Sequence, residues 1–131
     1  NQTTAYINTM RYAGAYYIVA EAYCRKGETE AARVLINHYW HCIGVSEAPA
    51  GITNQALLEL ILTDKQREFV GEGVNFFDLK RTHLASLPRY SQWGTGASSS
   101  ISSTDYRWNF PIPVSEYRFN SVEQNAGWPS N

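Results

Sequence analysis

The stretch Ala20-Glu21-Ala22-Tyr23-Cys24-Arg25-Lys26-Gly27-Glu28-Thr29-Glu30-Ala31-Ala32 decides the fold of the first part of the chain. Gly27 follows two cations, a helix stop whose charges suit the negative end of the helix it closes. Upstream, Tyr12, Tyr16, Val19 and Tyr23 share one stripe, and Ala13, Tyr17, Ala20 and Cys24 share the next. This i, i+4, i+7 spacing predicts a helix over residues 8–25 with a wide apolar face. Downstream, Ala32, Leu35, Ile36, Tyr39, Trp40 and Ile43 predict a second helix over residues 28–43. A turn this short makes the pair an antiparallel hairpin.

Working outward, the segment 44–52 contains Pro49 and Gly51 and reads as a connector. Thr53 or Asn54 can cap a third helix to about residue 70, lined by Leu57, Leu58, Ile61, Leu62, Lys65 and Phe69. After the Gly71-Glu72-Gly73 break a short helix is expected over residues 75–81. Near position 83 the composition changes. Pro88, Pro111, Pro113 and Pro129 lie beyond it, and 91–103 is a Ser/Gly-rich run with no periodic apolar face, which reads as loop. The expected fold is all-α, with an irregular Pro/Ser/Gly-rich C-terminal segment packed on the helices. Residues 1–131 read as a single domain, helical over 1–83 and irregular over 84–131. Ile112, Phe119 and Trp128 are expected to be buried.

Composition narrows the function. The chain has 131 residues, 44% apolar and 18% charged, which excludes a disordered polyelectrolyte and allows a real core. A net charge of −1 lacks the basic excess of a nucleic-acid binder. No apolar run approaches the ~20 residues of a membrane helix, and no signal peptide is visible. The start at Asn1, with a single Met at position 10, reads as a processed product or an excised piece. Aromatic residues reach 14%, which suits ring stacking on a flat ligand or sugar as well as helical core filling.

Three constellations could carry chemistry. His38, His41 and Cys42 approach metal-ligand spacing, with Cys24 as a possible fourth group. Cys24 lies three residues before Gly27 and Cys42 fifteen after it, so an antiparallel hairpin separates them by roughly 18 Å. That excludes both a shared metal and a disulfide, and no metal is expected. Glu68 and Glu72 share a helix face and could form a glycosidase pair. However, Arg67, Asp78 and Arg81 stand close by, so Arg67, Glu68, Glu72, Asp78 and Arg81 are expected to form a largely buried ionic network locking the third helix to the fourth. Tyr90, Trp93 and Tyr106 sit in and around the serine-rich run, where no core requires them. They are the candidate ligand-binding aromatics, Trp93 foremost. No Ser-His-Asp order, phosphate loop or dinucleotide fingerprint is present, so no catalytic residue is expected.

The hairpin resembles a tetratricopeptide unit, with alanines where helices touch and glycine at the turn. One such hairpin needs neighbours, and more are expected upstream in a longer parent. Arg67-Glu68-Phe69 through Phe77-Asp78-Leu79-Lys80-Arg81 resembles the late helix of the SusD/RagB family of outer-membrane nutrient-binding lipoproteins. Arg11-Tyr12-Ala13 through Ala20-Glu21-Ala22, Phe110-Pro111-Ile112-Pro113 with Glu116, and Gln124-Asn125-Ala126-Gly127-Trp128 resemble further family elements, in family order. Ala126 stands where the family usually has proline, and Gln66 sits in a run that is often all basic. The resemblance implies the C-terminal part of a surface glycan- or nutrient-binding protein, lipid-anchored to the outer membrane through an N-terminal part absent here. Such a protein works with a SusC-like TonB-dependent transporter, without catalysis or cofactor. The alternative is a free-standing tetratricopeptide-like module that binds a protein partner.

Overall fold

A computed structural model describes residues 11–82, 87–89, 99–102, 104–117 and 119–129. The chain reverses at Gly27, whose φ of +80° is open to glycine. There the Gly27 N–H donates to the Cys24 carbonyl and the Glu28 N–H to the Tyr23 carbonyl, both at 2.9 Å. This pair of bonds satisfies two carbonyls that the end of the helix would leave orphaned. The helices on either side are α1 (Tyr12–Arg25) and α2 (Thr29–Ile43). The side chain of Thr53 accepts from the Ala56 N–H and starts α3 (Asn54–Glu68).

Two compact units are present, Asn1–Gly73 and Val74–Asn131. The division falls at the glycine break, earlier than the compositional change near 83, and α4 (Asn75–Thr82) belongs to the second unit. That unit continues with a two-stranded antiparallel pair, β1 (Leu87–Arg89) and β2 (Ser99–Ile101), in which Pro88 lies opposite Ser100. A 3₁₀ turn (Tyr106–Trp108) and a single-turn α5 (Val114–Tyr117) follow. The described residues are thus mainly helical, as the sequence implied. β2 is a difference, because it arises within the serine-rich run read as loop. Pairing with Leu87–Arg89 makes it a strand, whereas its own composition does not.

In the first unit Tyr17, Ala20, Ala32, Ile36, Leu57 and Ile61 are fully buried. Alanines at 20 and 32 let the helices approach closely. Of the two α1 stripes, the one with Ala13, Tyr17, Ala20 and Cys24 faces the core, while Tyr12 is 79% exposed. Tyr16 stacks on Tyr39 at 5.0 Å, and Tyr17 meets Tyr39 and Phe69 edge-on. Buried Tyr and Trp rings still need partners for their polar tips. Tyr17 Oη donates to Asp64 Oδ2 at 2.6 Å and Trp40 Nε1 donates to the same oxygen at 2.5 Å. One carboxylate on α3 thereby joins α1 and α2, and burial with this bond raises the Tyr17 hydroxyl pKa well above its usual value. The connector is also pinned: the Asn37 side chain donates to the Ala48 carbonyl at 3.0 Å and accepts from its N–H at 2.8 Å.

The expected ionic network takes a different form. Glu68 and Glu72 both pair with Arg11, not with Arg67. Arg11 sits at the start of α1, donates to the Glu68 carbonyl at 3.2 Å, and covers the Phe69 ring at 4.9 Å. Asp78 pairs with Arg81 one turn along α4. Arg67 is exposed, because position 67 lies two residues, about 200° around the helix, from the buried Phe69. The Glu68 and Glu72 side chains are 22% and 41% exposed, so this cluster is a half-solvated clasp. In the second unit Ile112 and Trp128 are only half-buried, and Phe119 is 86% exposed. The chain turns just after α5, with the Asn120 N–H bonded to the Glu116 carbonyl, and leaves Phe119 in solvent.

Three residues test this account of stability. Asp64→Ala strands two buried donors and should cost about 3–5 kcal/mol in chemical denaturation, with Asp64→Asn costing less because its amide oxygen still accepts. Arg11→Ala should cost about 1–2 kcal/mol, through a half-exposed double ion pair and a cation–π contact. Arg67→Ala should change stability by under about 0.5 kcal/mol.

Candidate functional site

In the second unit, α4 carries Phe76, Phe77 and Leu79. Leu79 is buried and anchors the helix. Phe76 stacks on Phe110 at 5.0 Å and lies 5.4 Å from Trp108. The buried Trp108 ring is fixed by its Nε1–H, which donates to the Ser102 carbonyl at 2.6 Å. Its 3₁₀ turn is capped by Asp105, which accepts from the Arg107 backbone N–H at 2.9 Å and from two guanidinium nitrogens at 2.8 Å. The Arg107 side chain and N–H together hold the Asp105 carboxyl at a pKa of about 2.

Phe77 projects beside this scaffold and is 64% exposed. With Lys80, Arg81, Thr104, Asp105, Trp108 and Asn109 it lines a pocket of about 700 Å³. The size suits a sugar or small oligosaccharide ring system. An exposed aromatic face, a hydroxyl, an amide and charged groups converge there, the chemistry that grips a polyhydroxylated ring. Two smaller pockets lie in the first unit, of about 330 and 350 Å³. In the first, Arg33 and His41 already pair with Glu30 and Glu47. In the second, Trp40 is 2% exposed and presents no ring face.

The C-terminal tail explains why the Phe-Pro-Ile-Pro and Gln-Asn-Ala-Gly-Trp elements go together. Gln124 accepts from the Ile112 N–H at 2.8 Å and donates to the Ile112 carbonyl at 3.3 Å. Asn125 donates to the Phe110 carbonyl and Trp128 Nε1 to the Asn109 carbonyl, both at 2.7 Å. Two prolines leave segment 110–113 short of N–H donors, and the tail's side chains bond the polar groups that remain.

Of the three ligand-binding candidates read from sequence, Tyr90 and Trp93 lie outside the described residues. Tyr106 is 43% exposed, with its ring edge-on to Trp128 at 5.2 Å. It does not line the Phe77 pocket. Sequence reading missed Phe77 as a site residue. Its signal was Phe76-Phe77 on a short helix, where two adjacent rings cannot both face one core. Cys24 is buried, Cys42 is exposed, and both are free thiols. Among the described residues no group of three His, Cys, Asp or Glu side chains could hold a metal ion. Arg11 engages both Glu68 and Glu72, so neither stands as an open carboxylate.

The SusD family model matches residues 1–128. The chain belongs to the SusD family. The crystal structure of a SusD-like protein from Bacteroides fragilis NCTC 9343 is similar to it, with a TM-score of 0.68 and 25% sequence identity over 91% of this chain. The match covers 25% of the other protein, so this chain spans about a quarter of that relative's length. No curated protein matches the chain. Within this SusD-family chain, the late-helix element supplies Phe77, Lys80 and Arg81 of the pocket, and the tail supports segment 109–112.

Tail docking is testable at Gly127, whose φ is +87°. A Cβ there would collide with the Tyr106 ring. Gly127→Ala should therefore destabilise the second unit by about 2–4 kcal/mol, from left-handed strain and overlap together. Loss of amide protection over residues 109–112 in hydrogen exchange would report it.

Proposed function

We propose that this chain is the C-terminal portion of a cell-surface glycan- or nutrient-binding protein. The longer protein captures its ligand at the outer membrane, held there by a lipid anchor on its N-terminal part. It then passes the ligand to a SusC-like TonB-dependent transporter. The role is binding without catalysis, and it needs no cofactor. The observation that carries this reading is the SusD-family match over residues 1–128. The Phe77 pocket supports it with an exposed ring for the C–H face of a sugar and with Thr104 and Asn109 for its hydroxyls. No helix among the described residues is long and apolar enough to cross a membrane. Trp93, Tyr90 and Tyr106 remain proposed ligand contacts of the longer protein.

One ring and a few polar groups give weak binding. Titration of the 131-residue chain with oligosaccharides should show millimolar affinity, about −4 kcal/mol. Phe77→Ala should weaken binding roughly tenfold, the upper range of a ring contact, while leaving the melting temperature within about 1 °C because the side chain is largely exposed. Calorimetry and thermal denaturation of both proteins test this. An unchanged affinity in the variant would move the site elsewhere.

A further inference from the structure

The charge balance of the Phe77 pocket specifies the kind of sugar, and the argument rests on the binding role proposed above. Lys80, Arg81 and Asp105 are the ionisable groups lining it. Asp105 is taken up by Arg107 through two guanidinium bonds and one backbone bond. Arg81 is taken up by Asp78, with Nε at 2.8 Å and a terminal nitrogen at 2.6 Å from Oδ1. Each carboxylate is thus matched by its own guanidinium. Lys80 is left over: the residue is half-buried in the pocket lining and has no hydrogen bond or ion pair among the described residues. Lys80 and Phe77 are three residues apart on α4, so they share one helix face. An anion seated on the ring would bring its charge beside an ammonium that has no partner of its own, and a charge-assisted hydrogen bond would form there.

We infer that the pocket takes an acidic sugar, a uronic-acid type residue whose carboxylate pairs with Lys80 while its ring lies on Phe77. A neutral sugar would fill the ring subsite and leave the ammonium unpaired. The carboxylate of Asp105 does not oppose such a ligand, because Arg107 neutralises it from the protein side.

The test compares methyl glucuronide with methyl glucoside, which differ only at C6. Both are titrated into the ¹⁵N-labelled 131-residue chain, and the amide shifts of residues 77–81 and 104–109 are followed. The glucuronide should bind at least about fivefold more tightly at low salt. That preference should shrink when ionic strength rises to about 0.3 M, as an ion pair is screened. Lys80→Gln should abolish the preference for the glucuronide, and Phe77→Ala should weaken both sugars. Equal binding of the two sugars, or a preference that survives Lys80→Gln, overturns the inference and leaves the sugar-binding role standing. If neither sugar shifts these amides, the pocket is not a sugar site: the inference falls, and the binding role carried by the family match has its site elsewhere.

Discussion

The first unit depends on one oxygen. Asp64 Oδ2 receives the Tyr17 hydroxyl from α1 and the Trp40 indole N–H from α2. Large amphipathic rings let these helices fill the core between them, but each ring carries a donor that cannot be buried unpaired without a cost of about 1–3 kcal/mol. A single carboxylate on α3 answers both, and so fixes the position of the third helix on the hairpin. The other ties are secondary to this one. Asn54 donates to the Cys24 carbonyl at the turn end of the hairpin, and Arg11 grips Glu68 and Glu72 at the other end of α3. Between these two ends, Asp64 holds α3 to both helices of the hairpin.

The second unit is organised by a different constraint. It has few helical turns in which to bond its own backbone, and its prolines remove donors. Side chains take over: Gln124, Asn125 and Trp128 bond the backbone of 109–112, and Trp108 bonds that of Ser102. The tail's bonds span 12 to 19 residues along the chain, and all of them come from polar tips on otherwise apolar or planar groups. They hold the Phe76, Phe110 and Trp108 rings together without a large core, and this cluster backs the wall on which Phe77 stands.

What could be read from sequence followed from local periodicity and local stops. The hairpin, the cap at Thr53 and the short α4 were legible because each signal lies within a turn or two of its effect. Arg67 was misjudged for the opposite reason. Its neighbours Glu68 and Glu72 are held by Arg11, 57 and 61 positions away along the chain, and no local pattern marks such a partner. The role of Asp64 is non-local in the same way, although buried Tyr17 and Trp40 both signalled that an acceptor was required. The strand Ser99–Ile101 owes its conformation to Leu87–Arg89, so a serine-rich composition gave no hint of it.

The aromatic residues show why an exposed ring is hard to read from sequence. Tyrosine and tryptophan near loops look like ligand platforms, yet the polar tip that suits them to a ligand also lets the fold hold them. Trp108, Trp128, Trp40 and Tyr17 each have that tip bonded to a protein acceptor. A phenylalanine has no such handle, so it is either buried by packing or exposed without a hydrogen bond to justify its position. Phe76 is packed between Phe110 and Trp108; Phe77, one residue on, points to another side of the same short helix and stays in solvent. Hydration of that ring is unfavourable in the free protein. A ligand that covers it would recover that free energy without breaking any internal bond, while Trp108 in the same pocket wall is held by the bond of its indole N–H to the Ser102 carbonyl.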